Sequence, residues 1–191
     1  FVPLLTSLGC AFRCTYCGWY LIDEGFSRQD PSSVVGQIDH FYRTRGVRNF
    51  AFYDDALLYK AQTHFLRIAD GIRERGVRAH FLTPNGLHNR FLSPAVARAM
   101  KSAGFVRPRL ALETSSAARQ SQTGDKTTTA DCLAAVDNLL AAGYKRHEVG
   151  VNILIGLPGQ GPDEIEASIR LAAGQGLRMH LEEYSPIPGT P

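Results

Sequence analysis

Three cysteines stand close together near the start of the chain, in Gly9-Cys10-Ala-Phe-Arg-Cys14-Thr-Tyr-Cys17-Gly18, with the spacing C-x3-C-x2-C. Thiolates this close on one loop can converge on a soft metal centre. An iron–sulfur cube normally takes four cysteines. Only three are local here, so one iron would have no protein ligand. An open iron can bind and activate an external molecule, as the open position of a catalytic zinc does. Two plainer readings stand beside this one. A structural zinc wants a fourth ligand, and the nearest histidine, His40, lies more than twenty residues on, in a helical stretch. A disulfide with one spare thiol suits an oxidising compartment. The fourth cysteine, Cys132, sits beside Leu133 on a helical stretch and reads as a small buried hydrophobe.

The elements that must position this loop recur along the chain. Six β-rich runs are predicted, at 2–6, 49–53, 78–83, 109–113, 149–155 and 179–184. Helical stretches lie between them. Asp30-Pro31 and Ser93-Pro94 supply an N-cap followed by Pro at the first helical position, and Pro162 opens another helix. Gly46, Gly76, Gly104 and Gly143 close helices. The predicted inward faces are Val34, Ile38 and Phe41; Phe65, Ile68, Ala69 and Ile72; Leu133, Val136 and Leu140; and Ile165, Ile169 and Ala172. Strands alternating with helices imply parallel strands joined by right-handed crossovers, in an open sheet or a complete or partial barrel. In either, the chemistry belongs at the carboxyl ends of the strands, and the Cys loop follows the first.

Composition bounds the rest. With 191 residues, 44% hydrophobic and 20% charged, the chain is ordinary for one globular domain and too apolar for disorder. No apolar run approaches the ~18 residues that span a bilayer. The net charge of +3 comes from scattered residues, 17 of them Arg and 4 Lys, and points to no particular partner. Four cysteines, three within eight positions, do not make a disulfide scaffold and favour a reducing, cytoplasmic setting. The chain begins at Phe1 and ends at Pro191, which reads as one domain, 1–191, cut from a longer protein.

The C-x3-C-x2-C loop after the first strand resembles the signature of radical S-adenosylmethionine enzymes. The resemblance implies that Cys10, Cys14 and Cys17 hold a [4Fe–4S] cluster. S-adenosylmethionine would chelate the fourth iron through its amino and carboxylate groups. Reductive cleavage would then yield a 5′-deoxyadenosyl radical that takes a hydrogen from substrate. The implied fold is α/β, a partial (β/α)6 TIM-like barrel of parallel strands, here without its final helix.

The same resemblance assigns cofactor contacts at the strand ends. Tyr53-Asp54-Asp55 stands where the family has a Gly-Gly-Glu-like motif that accepts the methionine ammonium, with nothing to choose between the two aspartates. A solvated pair capping the next helix is the other reading. Asn85, in Thr83-Pro84-Asn85-Gly86, matches an Asn-Gly near cofactor and substrate. Glu113 stands for a residue that reaches the ribose or the methionine moiety, or else is a cap or an exposed charge. Gly156-Leu-Pro-Gly159 matches the adenine-side turn, although Gln160 replaces the usual acid. Ser185 and Pro186, in the run from Tyr184 to Pro191, back the adenine. Tyr16 and Gly18 flank the third cysteine on the adenine side, and Trp19 beyond them is a lid or a surface anchor. Plain packing is the other role for Tyr16.

Together these motifs look most like the branch whose members carry a cobalamin-binding domain and methylate unreactive carbons or carry out related reactions. Methylthiotransferases and tRNA-modifying enzymes share several of them. The implied partners are an electron donor of the flavodoxin or ferredoxin type and a small-molecule substrate, with tRNA as the alternative. No membrane is implied. The implied cofactors are the cluster and S-adenosylmethionine, plus cobalamin bound by a domain outside the chain. A binding module using its cluster or zinc only structurally is the competing class.

Overall fold

A computed structural model describes residues 1–22 and 25–190. The six expected strands form β1 (Val2–Leu4), β4 (Asn49–Phe52), β5 (His80–Leu82), β6 (Arg109–Glu113), β7 (Gly150–Ile155) and β8 (Arg178–Glu183). Between β1 and β4 the chain adds a short antiparallel hairpin, β2 (Ser7–Leu8) with β3 (Ser27–Arg28), which the sequence did not signal. The Cys loop is the excursion of that hairpin, and a short helix α1 (Trp19–Ile22) completes it.

All pairings among the six main strands are parallel, in the orders β1-β4-β5 and β6-β7-β8. The two halves join through single bridges, Phe81 with Phe105 and Leu87 with Leu110. Among the described residues β8 does not pair with β1, so the barrel is open, a partial (β/α)6 architecture. No helix follows β8 among them.

The helices start and stop where the sequence puts caps. In α2 (Pro31–Thr44) the Asp30 side chain accepts from the Ser33 N–H at 3.1 Å. In α4 (Pro94–Ala103) Ser93 caps Val96, and Gly104 ends the helix at φ 95°. The remaining long helices are α3 (Phe65–Glu74), α6 (Thr129–Ala141) and α7 (Pro162–Gly174), and a further short helix, α5 (Ala117–Gln122), was not foreseen. Three inward faces need correction. On α2 the buried residues are Val34, Val35 and Ile38, with Phe41 at the margin. On α6 the buried residues are Cys132, Ala135, Val136 and Leu139, with Leu133 and Leu140 at the margin. On α7 they are Ser168 and Ala172, with Ile165 and Ile169 half-buried. Helix packing selected a stripe rotated by about one residue from the one hydropathy alone favours.

Strand alternation sorts the core from the barrel interior. Phe50 and Phe52 of β4 meet Phe81 and Phe105 against the helices, with ring centroids 5.5 Å (Phe50–Phe81) and 5.2 Å (Phe52–Phe105) apart. Their neighbours Ala51 and Tyr53 face inward instead. With Arg109, Gly150 and His180 they line an interior cavity of about 490 Å³.

Candidate functional site

The Cys loop is anchored before it begins. Asp54, just past β4, is buried, and its Oδ1 accepts from the Thr6 N–H at 3.0 Å, the Thr6 hydroxyl at 2.7 Å and the Ser7 hydroxyl at 2.6 Å. Charge-assisted bonds of this kind are short and strong. The carboxylate is thereby committed to the root of the loop. Gly9, at φ 93°, makes the next turn, where a Cβ would lie 2.1 Å from the Gly25 carbonyl oxygen.

Beyond that turn the three thiols line one cavity of about 140 Å³ at the carboxyl ends of the strands. Phe12, Tyr16, Asp55, Asn85, Gly86, His88 and Lys126 complete its wall. All four cysteines are free thiols, and Cys132 is buried in α6, away from this cavity. Among the described residues no three His, Cys, Asp or Glu groups close on a single point as ligands of one metal ion would.

The groups on this wall are electrostatically coupled. Burial raises the Cys10 and Cys14 thiols above their ordinary value, while the Lys126 ammonium opposes the rise at both. Burial and the neighbouring Asp54 raise Asp55. Burial would lower Lys126, but the Glu113 carboxylate and the Cys14 thiolate outweigh it and the ammonium is held charged. Its Nζ lies 2.6 Å from Glu113 Oε1 and 5.6 Å from the centre of the Tyr16 ring. His88, stacked on Phe12 with centroids 4.8 Å apart, is pushed down to about 3 by burial and by the cations Lys126 and Arg90.

Tyr16 also faces a second cavity of about 230 Å³, walled by Leu157, Pro158, Tyr184, Arg119 and Thr123. Arg119 holds this wall in place. Its Nε donates to Glu164 at 2.7 and 2.9 Å, and its Nη1 donates to the Pro158 carbonyl at 2.8 Å. Gln160, where the motif has an acid, closes the turn itself, accepting from Leu157 N–H at 3.2 Å and donating to the Leu154 carbonyl at 3.0 Å.

The predicted site residues therefore divide. Cys10, Cys14, Cys17, Tyr16, Asp55 and Asn85 share the Cys cavity. Asp54 does not line it, because its oxygens are engaged by Thr6 and Ser7. Tyr53 faces the interior cavity, and its carbonyl accepts from Asn85 Nδ2 at 2.8 Å. Glu113 lies behind Lys126. Gly156, at φ 84°, makes the turn before the Leu157–Pro158 wall. Gly18 packs on Ile187, where a Cβ would sit 2.7 Å from a methyl carbon. Ser185 and Pro186 are exposed beside Tyr184 and line neither small cavity. Pro191, which ends that run, lies outside the described residues. Trp19 is half-buried, with its indole Nε1 enclosed. Sequence reasoning missed Lys126 and His88. A lone Lys in a turn carries no spacing signal, and only its scarcity, 4 in 191 residues, sets it apart.

Residues 4–172 match the radical SAM superfamily. The chain belongs to that superfamily. As a radical SAM chain it is 25% identical, over its whole length, to an uncharacterized methyltransferase of Pyrococcus horikoshii, and it spans 40% of that relative's length. Its fold resembles that of the radical S-adenosylmethionine methyltransferase TsrM from Kitasatospora setae, solved with cobalamin and a [4Fe–4S] cluster. The TM-score is 0.79 at 16% identity, covering 96% of this chain and 36% of that one. It also resembles the cobalamin-dependent radical enzyme OxsB, with TM-score 0.70 at 17% identity over 88% of this chain and 26% of that one. Methylornithine synthase gives TM-score 0.72 at 17% identity, covering all of this chain and 56% of that one. The chain is thus a radical SAM domain.

Proposed function

We propose that this chain is the radical domain of a methyltransferase that works with a cobalamin-binding domain and cleaves S-adenosylmethionine at a cluster held by Cys10, Cys14 and Cys17. The observation that carries this reading is the convergence of those three free thiols with Asp55, Asn85 and Lys126 on one cavity at the strand ends. The donor set suits an iron–sulfur group: three soft thiols, no fourth cysteine on the cavity, and a cation beside them. The methyltransferase relative and the likeness to TsrM and OxsB support the branch.

When bound, the cluster supplies the electron that splits the sulfonium of S-adenosylmethionine to a 5′-deoxyadenosyl radical. The chain's own residues bind and orient. The Asp55 carboxylate and the Asn85 amide oxygen are the acceptors on the Cys cavity for an ammonium. The cavity between Tyr16, Leu157, Pro158 and Tyr184 offers two rings and apolar walls to a planar base. Pro186, beside Ser185, stiffens the segment behind it, and the Gly156 turn presents it. Gly18 keeps the end of the Cys loop packed on that segment through Ile187. The barrel cavity of about 490 Å³, which runs from Tyr53, Thr83 and Pro84 down to Phe1, Arg107, Glu148 and Arg178 at the amino ends of the strands, has room for a small molecule. A flavodoxin or ferredoxin type donor supplies the electron, and the proposed setting is the cytoplasm.

The test is anaerobic reconstitution with iron and sulfide, then dithionite and S-adenosylmethionine. A brown protein that forms 5′-deoxyadenosine is expected, with Cys14→Ala forming none. A reconstituted protein that makes no 5′-deoxyadenosine, and whose cluster signal in electron paramagnetic resonance ignores added S-adenosylmethionine, would overturn the proposal.

A further inference from the structure

Lys126 sits on a turn, residues 123–128, that is built against the Cys loop. Gly124 approaches so closely that a Cβ there would lie 3.1 Å from the Arg13 carbonyl oxygen and 3.4 Å from Cys14 Cα. The turn is pinned on both sides of the lysine. Arg90 Nη2 donates to the Asp125 carbonyl at 3.0 Å, and Asn89 Nδ2, buried, donates to the Thr127 hydroxyl at 2.9 Å. Asp125 itself stands at φ 53°.

The partner of Lys126 sits in an irregular turn at the end of its strand. Glu113 ends β6 at φ 65°, immediately after a register shift between Ala111 and Glu113. A non-glycine residue in this region is uncommon and persists only when its surroundings hold it there. The Thr114 N–H, donating to the Leu112 carbonyl at 2.8 Å, closes a tight turn around Glu113, and the Glu113 carboxylate meets Lys126 Nζ at 2.6 Å. These two turns place one ammonium on the wall that the three thiols share, paired with the Glu113 carboxylate.

We infer that Lys126 is a positioning residue whose charge, fixed by Glu113, raises the reduction potential of the group held by Cys10, Cys14 and Cys17. Reduction adds a negative charge to that group. A nearby cation stabilises the more negative form, all the more where water is excluded. The inference rests on the proposed cluster and concerns its potential, not its presence.

The test is a redox titration of reconstituted protein, followed by electron paramagnetic resonance, with iron content measured in parallel. Lys126→Met should shift the midpoint to more negative values, because the Glu113 charge is left behind. The double variant Glu113→Gln, Lys126→Met should fall between that variant and the parent. Lys126→Arg should restore the parent value. Parent protein that binds no cluster would defeat the proposed function. Parent protein that binds it, with all variants titrating alike, would defeat only the role of Lys126. So would variants that fold by circular dichroism but retain no iron, since the lysine would then act in assembly.

Discussion

Asp54 and Thr6 are joined twice: Asp54 Oδ1 accepts the Thr6 backbone N–H at 3.0 Å and its hydroxyl at 2.7 Å, both residues being buried. Thr6 lies four positions ahead of Cys10, so this contact ties the end of β4 to the root of the cysteine loop. The adjacent Asp55 turns the other way, onto the cavity that the thiols share. Two neighbours of one residue type thus do different work.

Substitution should separate them. Asp54→Asn leaves buried donors with a weaker acceptor and should cost about 1–3 kcal/mol in urea unfolding. Asp55→Asn should cost nothing in stability. Burial and Asp54 raise the Asp55 pKa, so its ionised form is disfavoured in the fold, and stability is lost as pH rises through that window. Removing the charge relieves this, while S-adenosylmethionine binding, read by equilibrium dialysis, should weaken.

His88 should make the fold acid-sensitive. Its pKa is depressed from 6.5 to about 3, so the unfolded chain takes up a proton that the native ring refuses. The stabilisation is complete above about 6.5 and is lost as pH falls towards 3. His64, also lowered chiefly by burial, acts in the same direction. His88→Phe keeps a ring against Phe12 and should flatten the fall of melting temperature with acid, leaving the parts due to the other depressed groups, His64 and His180 and, further into acid, Asp30, Glu148 and Glu164. An unchanged slope would contradict the depressed pKa.

The four thiols should differ in reactivity. Burial pushes Cys132 up to about 12, and it is 2% exposed, so it stays a protonated, shielded thiol. In cluster-free protein, mild alkylation followed by mass spectrometry should label the half-exposed Cys10 and Cys17 first, the buried Cys14 later and Cys132 last. Cys132→Ala should retain full iron uptake and lose about 1 kcal/mol from the small void.

Arg119 should matter to the second cavity without touching the thiols. Arg119→Ala frees the Pro158 carbonyl and takes from the half-buried Glu164 its charged partner, leaving the Thr114 hydroxyl at 2.8 Å and the Gln160 side chain. The expected result is about tenfold weaker S-adenosylmethionine binding, some 1.4 kcal/mol, with unchanged iron content. Equal affinity would place the base elsewhere.

Much of this was legible in the chain. Pro31 and Pro94 behind their caps, and Gly46, Gly76, Gly104 and Gly143 after the helices, mark boundaries by local steric rules, and the structure keeps them. The β-hairpin that carries the cysteine loop was not legible, because its strands are two residues each and hold no alternation to read. The inward face of α6 was misplaced for a related reason. Its apolar residues are too numerous to single out one stripe, so packing against α4 and β6 chose Cys132, Ala135, Val136 and Leu139.

At the site the division runs deeper. Covalent order alone sets the chemistry on offer: three thiols at C-x3-C-x2-C spacing on the first strand end, with polar residues at the other strand ends. It does so through the rule that parallel strands gather their carboxyl ends on one side. Only the tertiary structure decided that Asp54 holds the loop while Asp55 faces the cavity, and that Lys126, more than a hundred residues from the cysteines, stands beside them against Glu113. The physical reason is that which way a side chain points after a strand ends, and which turn packs on which loop, depends on contacts between residues far apart in the chain.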